Sequence, residues 1–129
     1  MLFAAFDFGN HLFHKGAIRV ATREGVRFGV TGQTLSGQTH DASIKAIVQQ
    51  NSMGVLRTGN CADRIQVRYY DPVSGAVTAS NAQGNILEVA VEGCSVSNLA
   101  AFMRPSSPVV VDAAAIGAME EFPGQPPVR

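Results

Sequence analysis

The sequence predicts an α+β domain, with a long N-terminal helix and a short second helix packed on a three- to four-stranded antiparallel sheet. Three observations carry this. No proline interrupts Met1–Gly32, and Phe13, Ala17, Ile18, Val20, Ala21 and Phe28 recur there at helical spacing. Arg64–Tyr70 and Asn85–Cys94 alternate apolar with polar residues, the period of a half-buried strand. Helical patterns come first and strand patterns follow, the order of an α+β layout rather than of alternating βα units.

The elements follow in chain order. Leu2, Phe3, Ala4, Ala5, Phe6 and Phe8 make the start of the first helix apolar all round, with Asp7 the only charge, and the later half is amphipathic. That helix is expected to run unbroken over residues 1–30. Thr31–Gln38 carries glycine, threonine and serine without periodicity and reads as a loop. Thr39 or Asp41 offers an N-cap to a second helix over Asp41–Val55, where Ile44, Ile47, Val48 and Val55 recur, and Gly54 is placed to end it. His40 then falls in the loop, where it is expected to be solvated. Arg57–Asp63 is a polar turn. In the strand Arg64–Tyr70, Ile65, Val67 and Tyr69 share one face. Asp71–Gly75 is a turn with Pro72 and Gly75 where the chain bends back. Ala76–Ser80 is a short return strand, Asn81–Gly84 a turn, and Asn85–Cys94 a strand with Leu87, Val89 and Val91 on one face. Pairing it with Arg64–Tyr70 in a meander brings Glu88 and Glu92 to the face of Arg64 and Arg68. Ser97–Arg104 reads as one or two helical turns or a crossover, and Pro105–Pro108 as a break. Val109–Phe122 is ambiguous, β-branched at its start and rich in helix formers over Ala113–Met119. Residues 123–129 (PGQPPVR) read as a flexible tail, leaving 31–122 as the globular part of a single domain, 1–122.

Composition narrows the function classes. The chain has 129 residues, enough for one modest core, and 46% of them are apolar, too many for a disordered chain. Ten basic residues balance ten acidic ones, so nothing favours nucleic acid as a partner. Charged residues are only 16% of the chain, a composition that suits association. No apolar run reaches the length needed to span a bilayer, and no signal peptide is visible.

Few residues are arranged for chemistry. Asp7, His11 and His14 lie on one helix face at i, i+4, i+7, which allows a surface metal site or, more simply, a solvated stripe; no fourth ligand accompanies them, and no metal or cofactor is expected. Arg23, Glu24 and Arg27 are either ordinary helix-surface pairing or an ionic contact to another subunit or to lipid headgroups. No nucleophile–base–orienter set, phosphate-binding loop or dinucleotide fingerprint is present, so an enzyme is not expected. Phe6, Phe13 and Val20 fall on one line at seven-residue spacing, the repeat that lets one helix meet another.

Asp7-Phe8-Gly9, followed by an alanine-containing helix and then Ala21-Thr22-Arg23-Glu24-Gly25-Val26-Arg27, resembles the membrane-exit segment of the TadE/TadG-like proteins over about the first quarter of the chain. These are pseudopilin-like components of the tight-adherence (Flp/Tad) pilus, a type IV pilus system. His11 and His14 lie outside that pattern. The resemblance implies a pilin-like fold, a closing strand over Val109–Phe122 that ends near Glu120 or Glu121, and a minor structural subunit acting in pilus biogenesis, priming or tip assembly. Its implied partners are other pilus subunits, major and minor pilins, and the inner-membrane assembly platform. The implied location is periplasmic or at the cell surface, anchored before assembly by an N-terminal apolar segment and processed leader that this sequence does not contain. The implied assembly interface is Leu2, Phe3, Phe6, Phe13, Val20, Arg23, Glu24 and Arg27, part of it satisfied by the domain's own sheet and its first turns extending beyond. The isolated chain is expected to be a monomer or weak oligomer.

Outside the cytoplasmic membrane Cys61 and Cys94 are expected to be disulfide-bonded, closing a loop worth about 3–4 kcal/mol on the chain-entropy account. In a reducing compartment they would be two buried thiols. From a different class, a small extracytoplasmic ligand-binding or adhesin module also fits the glycine- and serine-containing loops.

Overall fold

The computed structural model describes residues 2–57, 59–96, 109–121 and 124–129. Helix α1 spans Leu2–Val30 and α2 spans His40–Gln50; a 3-10 segment over Gly59–Arg64 leads into strands β1 (Ile65–Tyr70), β2 (Val77–Thr78), β3 (Ile86–Val96) and β4 (Val109–Ala118). The expected α+β architecture is what forms: a long helix, a short helix and a four-stranded antiparallel sheet. The sheet order is β2-β1-β3-β4, so β1 sits between β2 and β3 and the strands do not run as the simple meander expected. The two residues of β2 pair with Tyr69 and Tyr70 only, whereas β1 offers β3 six paired positions, from Ile65 opposite Val91 to Tyr70 opposite Ile86. The segment expected over Ser97–Arg104 and the Pro105–Pro108 break lie outside the described residues.

Alternation along the strands builds the core. Tyr69, Leu87 and Gly117 stand side by side across β1, β3 and β4, as do Val67, Val89 and Ala115, and Ile65, Val91 and Ala113. Each row ends on a small residue at β4, and the small residues let α1 come close. A Cβ at Gly117 would stand 2.7 Å from Val26 and 3.1 Å from Val30. A Cβ at Gly29 would stand 2.5 Å from the Leu87 Cδ2 and 2.8 Å from the Ile44 Cδ1, and one at Gly25 would collide with Val48. Ile18, Ile44, Val48, Leu87, Val89 and Val91 are fully buried, each worth about 1.5–3 kcal/mol of transfer free energy.

Thr39 caps α2, its Oγ1 accepting from the Ala42 N–H at 3.4 Å. The helix stops at Gln50, short of the expected Val55. Asn51 and Ser52 turn their side chains onto the Ile47 and Gln49 carbonyls at 2.8 and 2.7 Å, and Met53 and Gly54 enter the left-handed region.

Cys61 and Cys94 form a disulfide across 33 residues. Strict alternation from Val91 would turn Cys94 outward. A bulge between Val91 and Cys94 absorbs one residue, with Gly93 at φ 71° and its N–H donating to the Asp112 carboxylate at 2.6 Å. Cys94 thereby returns to the core face opposite Val111.

The C-terminal segment is not the flexible tail expected. Val128 accepts from the His40 N–H at 2.7 Å, Pro127 accepts from the Asn81 side chain at 2.8 Å, and the Arg129 guanidinium lies 4.5 Å over the Tyr69 ring. Each of these contacts spans 46 or more residues of sequence, and local composition does not report them.

Candidate assembly surface

Helix α1 is longer than the sheet beneath it. Ala17–Val30 is about 20 Å of helix, the length of the six-residue β1, and Ala17, Ile18, Ala21, Thr22, Gly25, Val26 and Gly29 are its buried positions. None of the described side chains from Leu2 to Gly16 is buried. Leu2 is 70% exposed, Phe6 59%, Phe13 52% and Val20 46%. Phe8 and Leu12 are also exposed. The stripe through Phe6, Phe13 and Val20 therefore does not meet the domain's own sheet, contrary to the expectation that part of it would. At 100° per residue the stripe lies well over a quarter-turn from the buried face centred on Ile18 and Gly25. Phe3 lies in the helix, and its side chain is outside the described residues.

Arg23 and Arg27 are exposed and Glu24 is half-buried. The Arg27–Glu24 pair is 4.0 Å long with an 83% exposed arginine, a contact worth little to the fold. Glu24, Arg27 and Phe28 also line an open cleft between α1 and α2, about 460 Å³ in volume and completed by Thr31, Gln33, Ile47 and Asn51. No motif in the sequence marks that cleft.

The histidine stripe does not assemble a ligand set. The His14 Nδ1–H donates to the Asn10 carbonyl at 2.8 Å, and the His11 Nδ1 atom is buried with no hydrogen-bond partner among the described residues. Among the described residues no three His, Cys, Asp or Glu side chains stand close enough to hold a metal ion. On the outer face of the sheet, Arg68 donates to Glu88 at 2.7 Å and to both oxygens of Glu92 at 2.8 and 2.9 Å. These bonds, Glu92 first and Glu88 next, hold the guanidinium above its ordinary pKa.

His40 is the residue that sequence reasoning placed wrongly. It is fully buried at the start of α2. Its Nε2–H donates to the Gly29 carbonyl at 3.0 Å, at the end of α1. That assignment leaves the Nδ1 to accept from the Asn81 amide at 3.1 Å, with the Tyr69 hydroxyl 2.9 Å away. The Tyr69 hydroxyl donates to Asp41 at 3.0 Å, and Asp41 takes the Arg129 guanidinium at 2.9 Å, which also donates to the Ala79 carbonyl at 2.7 Å. Burial is the main cause that holds the His40 pKa below its ordinary 6.5; the Gly29 carbonyl and Asp41 oppose it, and Arg129 adds to it. Burial, then Asp41, pushes the Tyr69 hydroxyl upward. The cluster joins α1, α2, β1, the turn at Asn81 and the C-terminal segment through polar groups that are nearly all satisfied.

No family model matches this chain, and comparison with curated proteins and with solved structures gives no match either. Among the described residues no helix is long and apolar enough to cross a membrane.

Proposed function

We propose that this chain is a minor pseudopilin-like structural subunit of a tight-adherence pilus, working through protein–protein contacts in pilus biogenesis, priming or tip assembly. The observation that carries the reading is the projecting half of α1, with exposed Leu2, Phe6, Phe8, Leu12 and Phe13 standing clear of a disulfide-bonded α+β domain. Contiguous apolar surface of this kind on a folded domain marks an interaction site. The disulfide fits an oxidising, extracytoplasmic setting, at the periplasm or cell surface. The partners are other pilus subunits and the inner-membrane assembly platform, with an anchor preceding α1. The test is gene deletion in the source bacterium with pili counted by electron microscopy. Wild-type complementation should restore them, and a Phe6→Ser/Phe13→Ser gene should not, although its product is folded and secreted. Normal piliation with that gene would sink the reading.

A second reading rests on the cleft lined by Arg27, Phe28 and Ile47, whose mixed polar and apolar walls suit a small ligand of an adhesin-type module. A glycan and small-molecule binding screen tests it. A hit abolished by Phe28→Ala would favour it over the structural role.

A further inference from the structure

The exposed residues of α1 form more than an apolar stripe. Leu2, Phe6, Gly9, Phe13, Gly16 and Val20 succeed one another at alternating steps of four and three residues, the two seam positions of a heptad repeat. All six are exposed, and they lie opposite the face that Ile18 and Gly25 bury against the domain. A partner helix could therefore reach the seam without meeting the sheet. Nothing within 4 Å stands where a Cβ at Gly9 or Gly16 would be.

The seam is shaped to receive its own copy. In a parallel helix pair, the hole for the Phe13 ring is formed by residues 9, 12, 13 and 16 of the facing helix, and residues 9 and 16 are the two glycines. Large rings alternate with empty positions along one line, so the same surface supplies both the knob and the room for it, as a two-fold interface requires. The flanking charges set the direction. In parallel pairs the residue just before a seam position meets the partner's residue five places on. Arg19 stands just before Val20, and five places on is Glu24, so a parallel pair forms Arg19–Glu24 contacts twice, once each way. Arg19 is exposed, and among the described residues Glu24 makes the 4.0 Å contact with Arg27. In an antiparallel pair centred on the same seam, Arg19 faces the apolar start of the other helix and the complementarity is lost. Arg23 and Arg27 occupy the next two seam positions, where like charges would meet, so the seam ends at Val20.

We propose that α1 pairs in parallel with α1 of a second copy of this chain through the Leu2–Val20 seam, registered by reciprocal Arg19–Glu24 ion pairs. This rests on reading the projecting half of α1 as the assembly element and names its partner.

Sedimentation equilibrium of the chain at low salt tests it. A reversible monomer–dimer equilibrium is expected. Phe13→Glu should leave only monomer. Gly16→Glu places a charge at the seam opposite its own copy, and should likewise give a monomer. Arg19→Glu and Glu24→Arg should each weaken the dimer about tenfold, and the double swap should restore it. Val20→Cys should cross-link to itself under mild oxidation. Any of three results overturns the proposal: a monomer at every concentration, including one that floats with anionic phospholipid vesicles instead; an unaltered dimer in Gly16→Glu; or cross-linking only between Val20→Cys and Leu2→Cys, the antiparallel signature. Piliation separates this from the functional reading. A monomeric chain whose seam variants still lose pili overturns the dimer alone. A dimer whose seam variants keep normal pili supports the pairing and sinks the pilus role.

Discussion

The two halves of α1 share an apolar helical periodicity and meet opposite surroundings. From Ala17 to Val30 every turn puts a small or β-branched residue against the sheet or α2. From Leu2 to Gly16 larger apolar residues face outward. The glycines make the contrast sharpest. Gly25 and Gly29 are crowded by Val48, Ile44 and Leu87, whereas Gly9 and Gly16 face open space. One residue type thus serves two ends: close approach within the domain, and a vacancy on its surface. Apolar periodicity alone does not distinguish them. What does is side-chain size, because a helix packed on a sheet needs small residues at the contact and a helix awaiting a partner can carry rings.

The largest expected effect tests burial itself. Ile18→Ala should cost about 2–5 kcal/mol of unfolding free energy, the scale for truncating a fully buried isoleucine. Phe6→Ser/Phe13→Ser, measured at a concentration where the chain is monomeric, should cost less than about 0.5 kcal/mol. Equal losses in urea denaturation would erase the distinction between the halves. Next comes the disulfide beneath the buried half: Cys61→Ala/Cys94→Ala should lower stability by about 3–4 kcal/mol through the 33-residue loop, and leave the exposed half helical by circular dichroism.

A matched glycine pair sharpens the comparison. Gly29→Ala should destabilise by about 1–3 kcal/mol, since its Cβ meets Leu87 and Ile44. Gly16→Ala should stabilise by about 0.5–1 kcal/mol, as relief of helix entropy with nothing in the way. The same sign in thermal melts of both would refute the assignment of the two faces.

The smallest effect concerns the end of the buried half, where the Gly29 carbonyl receives His40. The folded pKa of His40 lies below the 6.5 of the unfolded chain, so the unfolded state takes up a proton that the folded state refuses. Stability should fall as pH drops through 6.5 toward the folded pKa, by at most about 1.4 kcal/mol per pH unit, and be pH-independent in this respect above 6.5. His40→Gln should flatten that slope. An unchanged slope in chemical denaturation across the range would place the titration elsewhere.

Much of the fold was legible because it is written locally. Alternation at Ile65, Val67 and Tyr69 and at Leu87, Val89 and Val91 predicted both the strands and their shared inner face, and Arg68 meets Glu88 and Glu92 as charge patterning suggested. Strand β4 was ambiguous because Ala113–Met119 favours helix in isolation, and those small residues serve the close approach of α1. His40 and the C-terminal segment were misread for one reason. Their partners Gly29, Asn81, Tyr69 and Asp41 are brought to them only by the completed fold, and no window around His40 or Pro127 contains that information. The exposed half of α1 was readable as a seven-residue line, but its direction away from the sheet required knowing which face the sheet takes.

The bulge at Gly93 makes the disulfide a proofreader of sheet assembly. A β3 that zips onto β4 without setting Gly93 aside presents Cys94 on the far side of the sheet from Cys61, out of reach of a bond to it. Only the correctly registered sheet can make the bond, and once made it forbids slippage by one residue in either direction. Oxidation therefore does two things for this chain. It shortens the list of unfolded conformations, and it discards the near-native ones whose inner and outer faces are exchanged beyond Glu92, so that every molecule with the Cys61–Cys94 bond closed carries the same face toward α1.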